Sequence, residues 1–414
     1  MVGLGMIFRE TYLPVFENAL RSPRISLEGE PYQVEWMGAV SRTGKSHAEM
    51  ESRFKVPCFA GNDGLDRLLA LKPDVLCVAT PDDAHFAPIM QGLDAGCHIL
   101  VEKPSLLSLE QTDQILERSI EAQKLVRVVY HKLADPDHKR LRTLVADGVL
   151  NHVNSGYCTL LEPKSIGMST FAAWIEGRNP ATYVAVHYFK LIDFTFGGAT
   201  VNPAMRLKKV EATGQKGQVS RDPATWDSVQ SRLTYAYPDG SEAVFDIHTS
   251  WVHPDNFPGY VDQEVQFRFH NGVWNASQRK RGIELVVEGR TPTELKTNIN
   301  NHYNATTLDP WGSKRARGYG LEVIERFFDE TAHVLWDGDQ GSSPQRLETI
   351  RGLAYADLGA DRSVIAMVEA TEAILAASAA GQRGGVVEVN GPQGGLVLKF
   401  PGTSQSRVLY AKTV

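Results

Sequence analysis

Over roughly the first third of the chain, short apolar runs alternate with amphipathic stretches. "VEWMGAV" (34–40), "DVLCVAT" (74–80), "HILVEKP" (98–104) and "LVRVVYH" (125–131) are apolar runs of strand length. Between them, "GLDRLLAL" (64–71), "FAPIMQGLDAG" (86–96) and "SLEQTDQILERSIEAQ" (108–123) place apolar residues at helical spacing. Strands apolar on both faces that alternate with helices predict a doubly wound parallel sheet. Ligands of such sheets bind beyond the carboxyl ends of the strands, so the residues that follow each run are where chemistry is sought.

The pattern changes after residue 131. A helix predicted over 136–147 is followed by the strand "VNSGYCTLL", a helical segment near 182–195, and the long runs "SRLTYAYPDG", "SEAVFDIHTSWVHP", "DQEVQFRFHNGVWNAS" and "GIELVVEG". Pro238-Asp239-Gly240 and Asn271-Gly272 are hairpin signals, so this part predicts an open, mostly antiparallel sheet flanked by helices. Helices return near 318–335 and 354–380. The expected organisation is therefore an α/β domain over 1–131 and an α+β domain over 132–414, with the helix at 354–380 a candidate to pack back on the first domain.

A chain of 414 residues has the length for two separate cores. With 42% hydrophobic and 22% charged residues, it has no apolar run approaching the roughly 20 residues that span a membrane. A net charge of -6 offers no general attraction to phosphate backbones, so nucleic acid is not an expected partner. The basic cluster Arg279-Lys280-Arg281 reads as a solvated turn. Cys58, Cys77, Cys97 and Cys158 form no C-x-x-C pair and read as small hydrophobes of a reduced, cytoplasmic protein. Asp246, His248 and Ser250 alternate on one face near His253, but no closed ligand set emerges and no metal is expected.

"MVGLGMIF" carries the first two glycines of G-x-G-x-x-G, which permit a tight turn and a close backbone approach to a pyrophosphate at a helix N-terminus. Gly3, Gly5, Met6 and Ile7 would line that approach. Phe8 stands where a small residue normally lets helix and strand pack closely, so the first helix is expected to stand off the sheet or the loop to shift. Almost nothing precedes the turn, so the first strand is largely missing, and the natural protein is expected to begin upstream. Ser41 and Arg42 end the next strand, where an acidic residue would bind a ribose diol. A guanidinium instead suits a 2'-phosphate, which makes NADP the expected cofactor ahead of NAD.

Two further strand ends read Ala79-Thr80-Pro81-Asp82-Asp83-Ala84-His85 and Glu102-Lys103-Pro104. G-x-G, A-T-P-x-x-x-H and E-K-P in this order resemble the Gfo/Idh/MocA oxidoreductase family, over the first 150 residues and more loosely beyond. Lys103, a charged residue at the end of a buried strand, is the natural candidate for chemistry. The resemblance implies a Rossmann-like N-terminal domain and hydride transfer between NAD(P) and a hydroxyl or keto group of a sugar, polyol or sugar derivative. It implies that Lys103 contacts the nicotinamide ribose and the substrate hydroxyl, and that Thr80, Pro81, His85 and Glu102 shape the cofactor site. It also implies a homodimer or homotetramer assembled through the open sheet.

In "NPATYVAVHYFKLIDFTFG", His187 matches the family's catalytic histidine, a group suited to take the hydroxyl proton. Tyr183 stands where the family has an aspartate, and is a candidate to bind a sugar hydroxyl or share proton transfer with Lys103. Lys190 is a candidate to orient an acidic substrate, or to pair with Asp193 on the helix surface. Further substrate candidates are His131 at a strand end, Glu162 and Lys164 after a strand, and Trp174, Arg178 and Trp311, where stacking on a sugar ring is chemically reasonable. Two other functions stay open. One is glycoside cleavage through transient oxidation of the sugar, and the other is a cofactor-binding regulatory protein with decayed catalysis, to which Phe8, Tyr183 and Lys190 point.

Overall fold

The computed structural model describes all residues except 171, 173, 198–203, 221, 223, 258, 260, 287–295, 309, 311, 313, 337–341, 354, 356, 391–394 and 412–414. For residues 170, 280, 284–286 and 296–299 it describes the backbone. The chain divides into two compact units, Met1–Asp135 with His302–Arg362, and Pro136–Asn301 with Ser363–Val414.

In the first unit, strands β1 (Ala39–Val40), β2 (Cys58–Phe59), β3 (Val75–Val78), β4 (His98–Glu102) and β5 (Val126–Val129) pair in parallel as β2-β1 and β3-β4-β5. Val2 joins the two groups, bridging in parallel to Val40 and Val78. Its N–H donates to the Cys77 carbonyl and its carbonyl accepts from Ala79 N–H, each at 2.8 Å. The place of the central strand is thus held by a stub of Met1–Gly3. The strand expected over 34–40 pairs only at Ala39 and Val40, the level that this stub and β2 reach.

The chain is helical from Met6 to Ala19, with a wider π-type turn over Phe8–Tyr12. Phe8 is fully buried, its ring centroid 5.8 Å from that of Trp36 and 6.4 Å from that of Phe16. The large side chain at the third fingerprint position is therefore absorbed by an aromatic cluster.

The expected second domain, 132–414, is interrupted, because 302–362 pack in the first unit. Helices Tyr319–Leu335 and Ser343–Gly352 bury Leu321, Ile324, Phe327, Phe328, Leu347 and Ile350 in the core that holds Phe8, Phe16 and Trp36. Arg127, a buried cation within β5, is paired there with Glu330 at 2.8 Å and Asp357 at 3.3 Å. The late helix runs from Arg362 to Ala379, and from Ser363 onward it belongs to the second unit.

The second unit is built on β6 (Val153–Pro163), β7 (Arg206–Gln215), β8 (Ser228–Ala236), β9 (Glu242–His253), β10 (Asp262–Phe269), β11 (Val273–Ala276), β12 (Val386–Asn390), β13 (Gly395–Lys399) and β14 (Ser406–Tyr410). Their order is β11-β10-β6-β9-β8-β7-β12-β13-β14. The β6–β9 pair is parallel and the others antiparallel, with hairpins at 238–240 and 271–272 as expected. Alternation sets the two faces of the sheet. Phe245, Ile247, Trp251 and Phe267 are fully buried, and the helical run Ala181–Gly197 packs over them, Phe196 lying 5.2 Å from Phe267 and 5.5 Å from Phe245. On the opposite face, Tyr157, Thr159, Thr213, Gln230, His248 and Ser250 line a shallow groove of about 640 Å³. Asp246 alternates with His248 and Ser250 and pairs with Arg232 at 2.8 Å, so that row is part of a polar sheet surface. Among the described residues, no helix is long and apolar enough to cross a membrane.

Candidate active site

In the first unit, five segments follow the carboxyl ends of adjacent parallel strands, those after β1, the Met1–Gly3 stub, β3, β4 and β5. Gly3 has φ +93°, and a Cβ there would lie 2.3 Å from the Ala79 carbonyl oxygen, so this position requires glycine. Gly5 is exposed, and a Cβ built on it meets nothing within 4 Å. The turn is therefore packed on its neighbouring strand at Gly3 and open at Gly5, directly before the helix that starts at Met6. An open glycine turn feeding a helix N-terminus fits a pyrophosphate.

After β3, Thr80 is half-buried and its hydroxyl donates to the Ala84 carbonyl at 3.1 Å, closing the turn that contains Pro81. His85 is almost completely buried. Its Nε2 lies 2.9 Å from the Thr80 carbonyl, and its Nδ1 lies 3.0 and 3.1 Å from the carbonyls of Pro104 and Ser105. Burial pushes the His85 pKa down, while these carbonyls and Asp82 oppose the shift. The ring is committed to backbone carbonyls and ties the loop after β3 to the loop after β4. Its contribution to a cofactor site is to hold Thr80 and Pro81 in place.

Glu102 ends β4, 5% exposed, and its Oε1 accepts from the Tyr12 hydroxyl at 3.1 Å. Burial pushes this carboxyl up to about 7, against the opposing pull of the Lys103 charge and the Tyr12 hydrogen bond. Lys103 is half-buried and precedes Pro104 through a cis peptide bond. His131 is not a strand end but the first residue of the short helix His131–Ala134. It is buried edge-on to Tyr303 at 5.6 Å, and burial, with Lys103 and Lys132 next, pushes its pKa down to about 3. Behind these loops, fully buried Asp361 accepts from Ser105 at 2.7 Å and Tyr130 at 2.8 Å. Tyr12 and Asp361 escaped the sequence reading because their partners are remote along the chain.

After β1, Ser41 Oγ lies 2.8 Å from His47 Nε2, and Arg42 is exposed. Arg9, from the first helix, reaches Glu49 at 2.7 and 3.2 Å and the Ser46 hydroxyl at 3.0 Å.

In the second unit, the helical run Ala181–Gly197 carries half-buried Tyr183 and buried His187. The Tyr183 ring lies 4.9 Å from Trp174 and 6.4 Å from Trp251. Trp251 Nε1 donates to buried Glu162 at 2.8 Å. Glu162, Trp251, Tyr183 and Trp174 thus form a continuous row, in which buried Glu162 and Trp251 back the half-buried rings of Tyr183 and Trp174, the two members with surface to offer a ring that has polar edges and apolar faces. Trp251 was missed in the sequence, where it reads as one more core position of a strand. Lys164, half-buried, follows β6 and helps hold the Asp255 pKa down, after the hydrogen bonds from Ser165. Arg178 is half-buried, and Trp311 lies outside the described residues.

Lys190 and Asp193 do not form a helix-surface pair. Lys190 is 1% exposed, and Asp193 accepts from Tyr235 at 3.0 Å and Ser363 at 2.6 Å. Burial pushes the Asp193 pKa up, and Ser363, Lys190 and Tyr235 oppose the shift. The helix is covered on this side too, so Lys190 lies in the interior of the unit.

Residues 1–130 match the family described as an oxidoreductase family with an NAD-binding Rossmann fold. The chain is 28% identical over 171 residues to D-glucoside 3-dehydrogenase of Escherichia coli (strain K12), covering 40% of this chain and 48% of that protein. It thus spans about half the length, or less, of the first curated relatives it matches. Similar solved structures include GenD2 from gentamicin A biosynthesis in complex with NAD, at TM-score 0.63 and 21% identity over 94% of this chain and 95% of that one. Scyllo-inositol dehydrogenase from Lactobacillus casei, with NAD(H) and scyllo-inositol, has TM-score 0.61 and 14% identity over 94% and 97%. These two likenesses establish a shared fold.

Proposed function

We propose, for a chain whose first 130 residues belong to the Gfo/Idh/MocA oxidoreductase family, NAD(P)-dependent oxidation or reduction at a CH–OH carbon of a sugar, polyol or sugar derivative. The observation that carries this reading is the convergence of three strand-end loops in the first unit. Gly3 packs on Ala79, the buried His85 ring sits between the carbonyls of Thr80, Pro104 and Ser105, and the Tyr12 hydroxyl donates to Glu102. A nicotinamide cofactor, when bound, supplies the hydride acceptor or donor. Gly3, Gly5, Met6 and Ile7 would hold its pyrophosphate, and Thr80, Pro81 and Glu102 would shape the site toward the nicotinamide.

Oxidation of a carbinol requires that its hydroxyl proton be taken up. His187 is the proposed acid/base. Lys103 is the proposed positioning cation, its charge favouring the alkoxide-like oxygen that develops as the proton leaves. Tyr183, beside Trp174, is proposed to bind a substrate hydroxyl, with Glu162 and Trp251 supporting it. NADP is proposed ahead of NAD because β1 ends in Ser41 and exposed Arg42 rather than in an acidic residue. Assembly through the polar face of the nine-stranded sheet is proposed from its open groove.

The test is turnover of a panel of sugars, polyols, uronic acids and glycosides with NAD and NADP, followed by nicotinamide absorbance. Lys103→Met and His187→Ala are expected to lower kcat by about 10²–10⁴-fold, with unchanged circular dichroism. Undiminished turnover in both variants would overturn the assignment.

A further inference from the structure

We propose that Arg9 is a specificity-determining residue for a 2'-phosphate on the adenosine ribose, held by Glu49 until the phosphate arrives. The proposal rests on the dinucleotide-site reading above and deepens it.

The loop after β1 follows the strand beside the Met1–Gly3 stub, at the carboxyl edge where the adenosine end of a dinucleotide sits in doubly wound sheets. Ser41, Arg42, Thr43, Lys45, Ser46 and His47 occupy that loop and the start of the helix His47–Phe54. Five of them, Ser41, Arg42, Thr43, Lys45 and Ser46, carry hydroxyl or cationic groups of the kind that bind a phosphate monoester, and Arg42, Thr43 and Lys45 are exposed. Ser41 is oriented by His47 at 2.8 Å.

Arg9 reaches this region from the helix that begins after the glycine turn. Its guanidinium forks onto both Glu49 oxygens, at 3.2 and 2.7 Å, and onto the Ser46 hydroxyl at 3.0 Å. The same planar fork matches two phosphate oxygens. Both partners are well exposed, 43% and 44%, so the pair is a weak surface interaction that a dianion can displace. Ser46 already lies at the fork and can donate to a phosphate oxygen when Arg9 turns.

Glu49 gives the arrangement a second use. Its hydrogen bond with Arg9 holds its carboxyl below the usual range, so it is ionised at neutral pH. An ionised carboxylate repels a 2'-phosphate, and it accepts hydrogen bonds from a free ribose diol. Glu49 therefore works against the phosphate, and removing its charge leaves Arg9 free to bind it.

The experiment is equilibrium titration of the full chain with NADPH, NADH, 2',5'-ADP and AMP, read by nicotinamide fluorescence or calorimetry rather than turnover. Arg9→Ala is expected to weaken NADPH and 2',5'-ADP by about tenfold or more, the scale of one charge-assisted hydrogen-bonded pair. NADH and AMP are expected to stay within about twofold, a precision set by the same tenfold scale. Glu49→Gln is expected to tighten NADPH and leave the fold intact by circular dichroism. A wild-type chain that binds neither NADH nor NADPH overturns the dinucleotide reading and this proposal with it. A chain that binds NADH, but whose NADPH-to-NADH affinity ratio is the same with and without Arg9, overturns this proposal alone. Weaker NADH binding by Glu49→Gln without a gain for NADPH also overturns it, and makes Glu49 a ribose-diol acceptor instead.

Discussion

Glu102→Gln isolates a buried carboxyl whose ionisation the fold resists. Glu102 lies at the end of β4, 5% exposed, and burial raises its pKa to about 7 from an ordinary 4.5. Between those two values the folded chain holds a proton that the unfolded chain has released. Stability therefore falls as pH rises through this window, and the loss is complete above the folded pKa. At 1.36 kcal/mol per unit, the difference amounts to about 3 kcal/mol. The glutamine variant has no charge to bury and lacks this slope. The assay is urea denaturation of both proteins from pH 4.5 to 8, read by amide exchange in β3, β4 and β5 so that it reports on the first unit. Tyr12→Phe is a companion, because it removes a hydrogen bond to the carboxylate and shifts the window to higher pH. Wild type and Glu102→Gln sharing one pH profile would refute the reasoning.

Gly3→Ala drives a methyl group to 2.3 Å from the Ala79 carbonyl oxygen at positive φ. It is expected to lower stability by about 1–3 kcal/mol, measured by thermal and urea unfolding. Gly5→Ala, with open space at its Cβ, is expected to leave stability within about 0.5 kcal/mol while weakening NADH or NADPH binding in fluorescence titration. Asp193→Asn weakens the hydrogen bonds that Tyr235 and Ser363 donate and removes the charge near buried Lys190, and is expected to destabilise the second unit by about 1–3 kcal/mol, read by urea unfolding.

Local pattern determined much of this molecule. Hydrophobic periodicity and turn chemistry are short-range properties, and they located β3, β4, β5, the intervening helices and the hairpins at 238–240 and 271–272 to within a few residues. Motifs at strand ends are equally local, so Gly3, Gly5, Thr80 and Lys103 were legible as a group once the strands were. Tertiary structure decided whatever depends on which remote surface covers a residue. Arg127 reads as an anomaly in an apolar strand until Glu330 and Asp357 arrive from 302–362. Tyr12 and Glu102 are 90 residues apart, and Trp251 and Glu162 are 89 apart, so neither pairing leaves a trace in spacing. Helical spacing put Lys190 and Asp193 near one another but did not reveal a lid over them. Tyr235 and Ser363, brought in from other elements, make that site interior. A sequence states which faces can be buried, and only the folded chain settles what buries them.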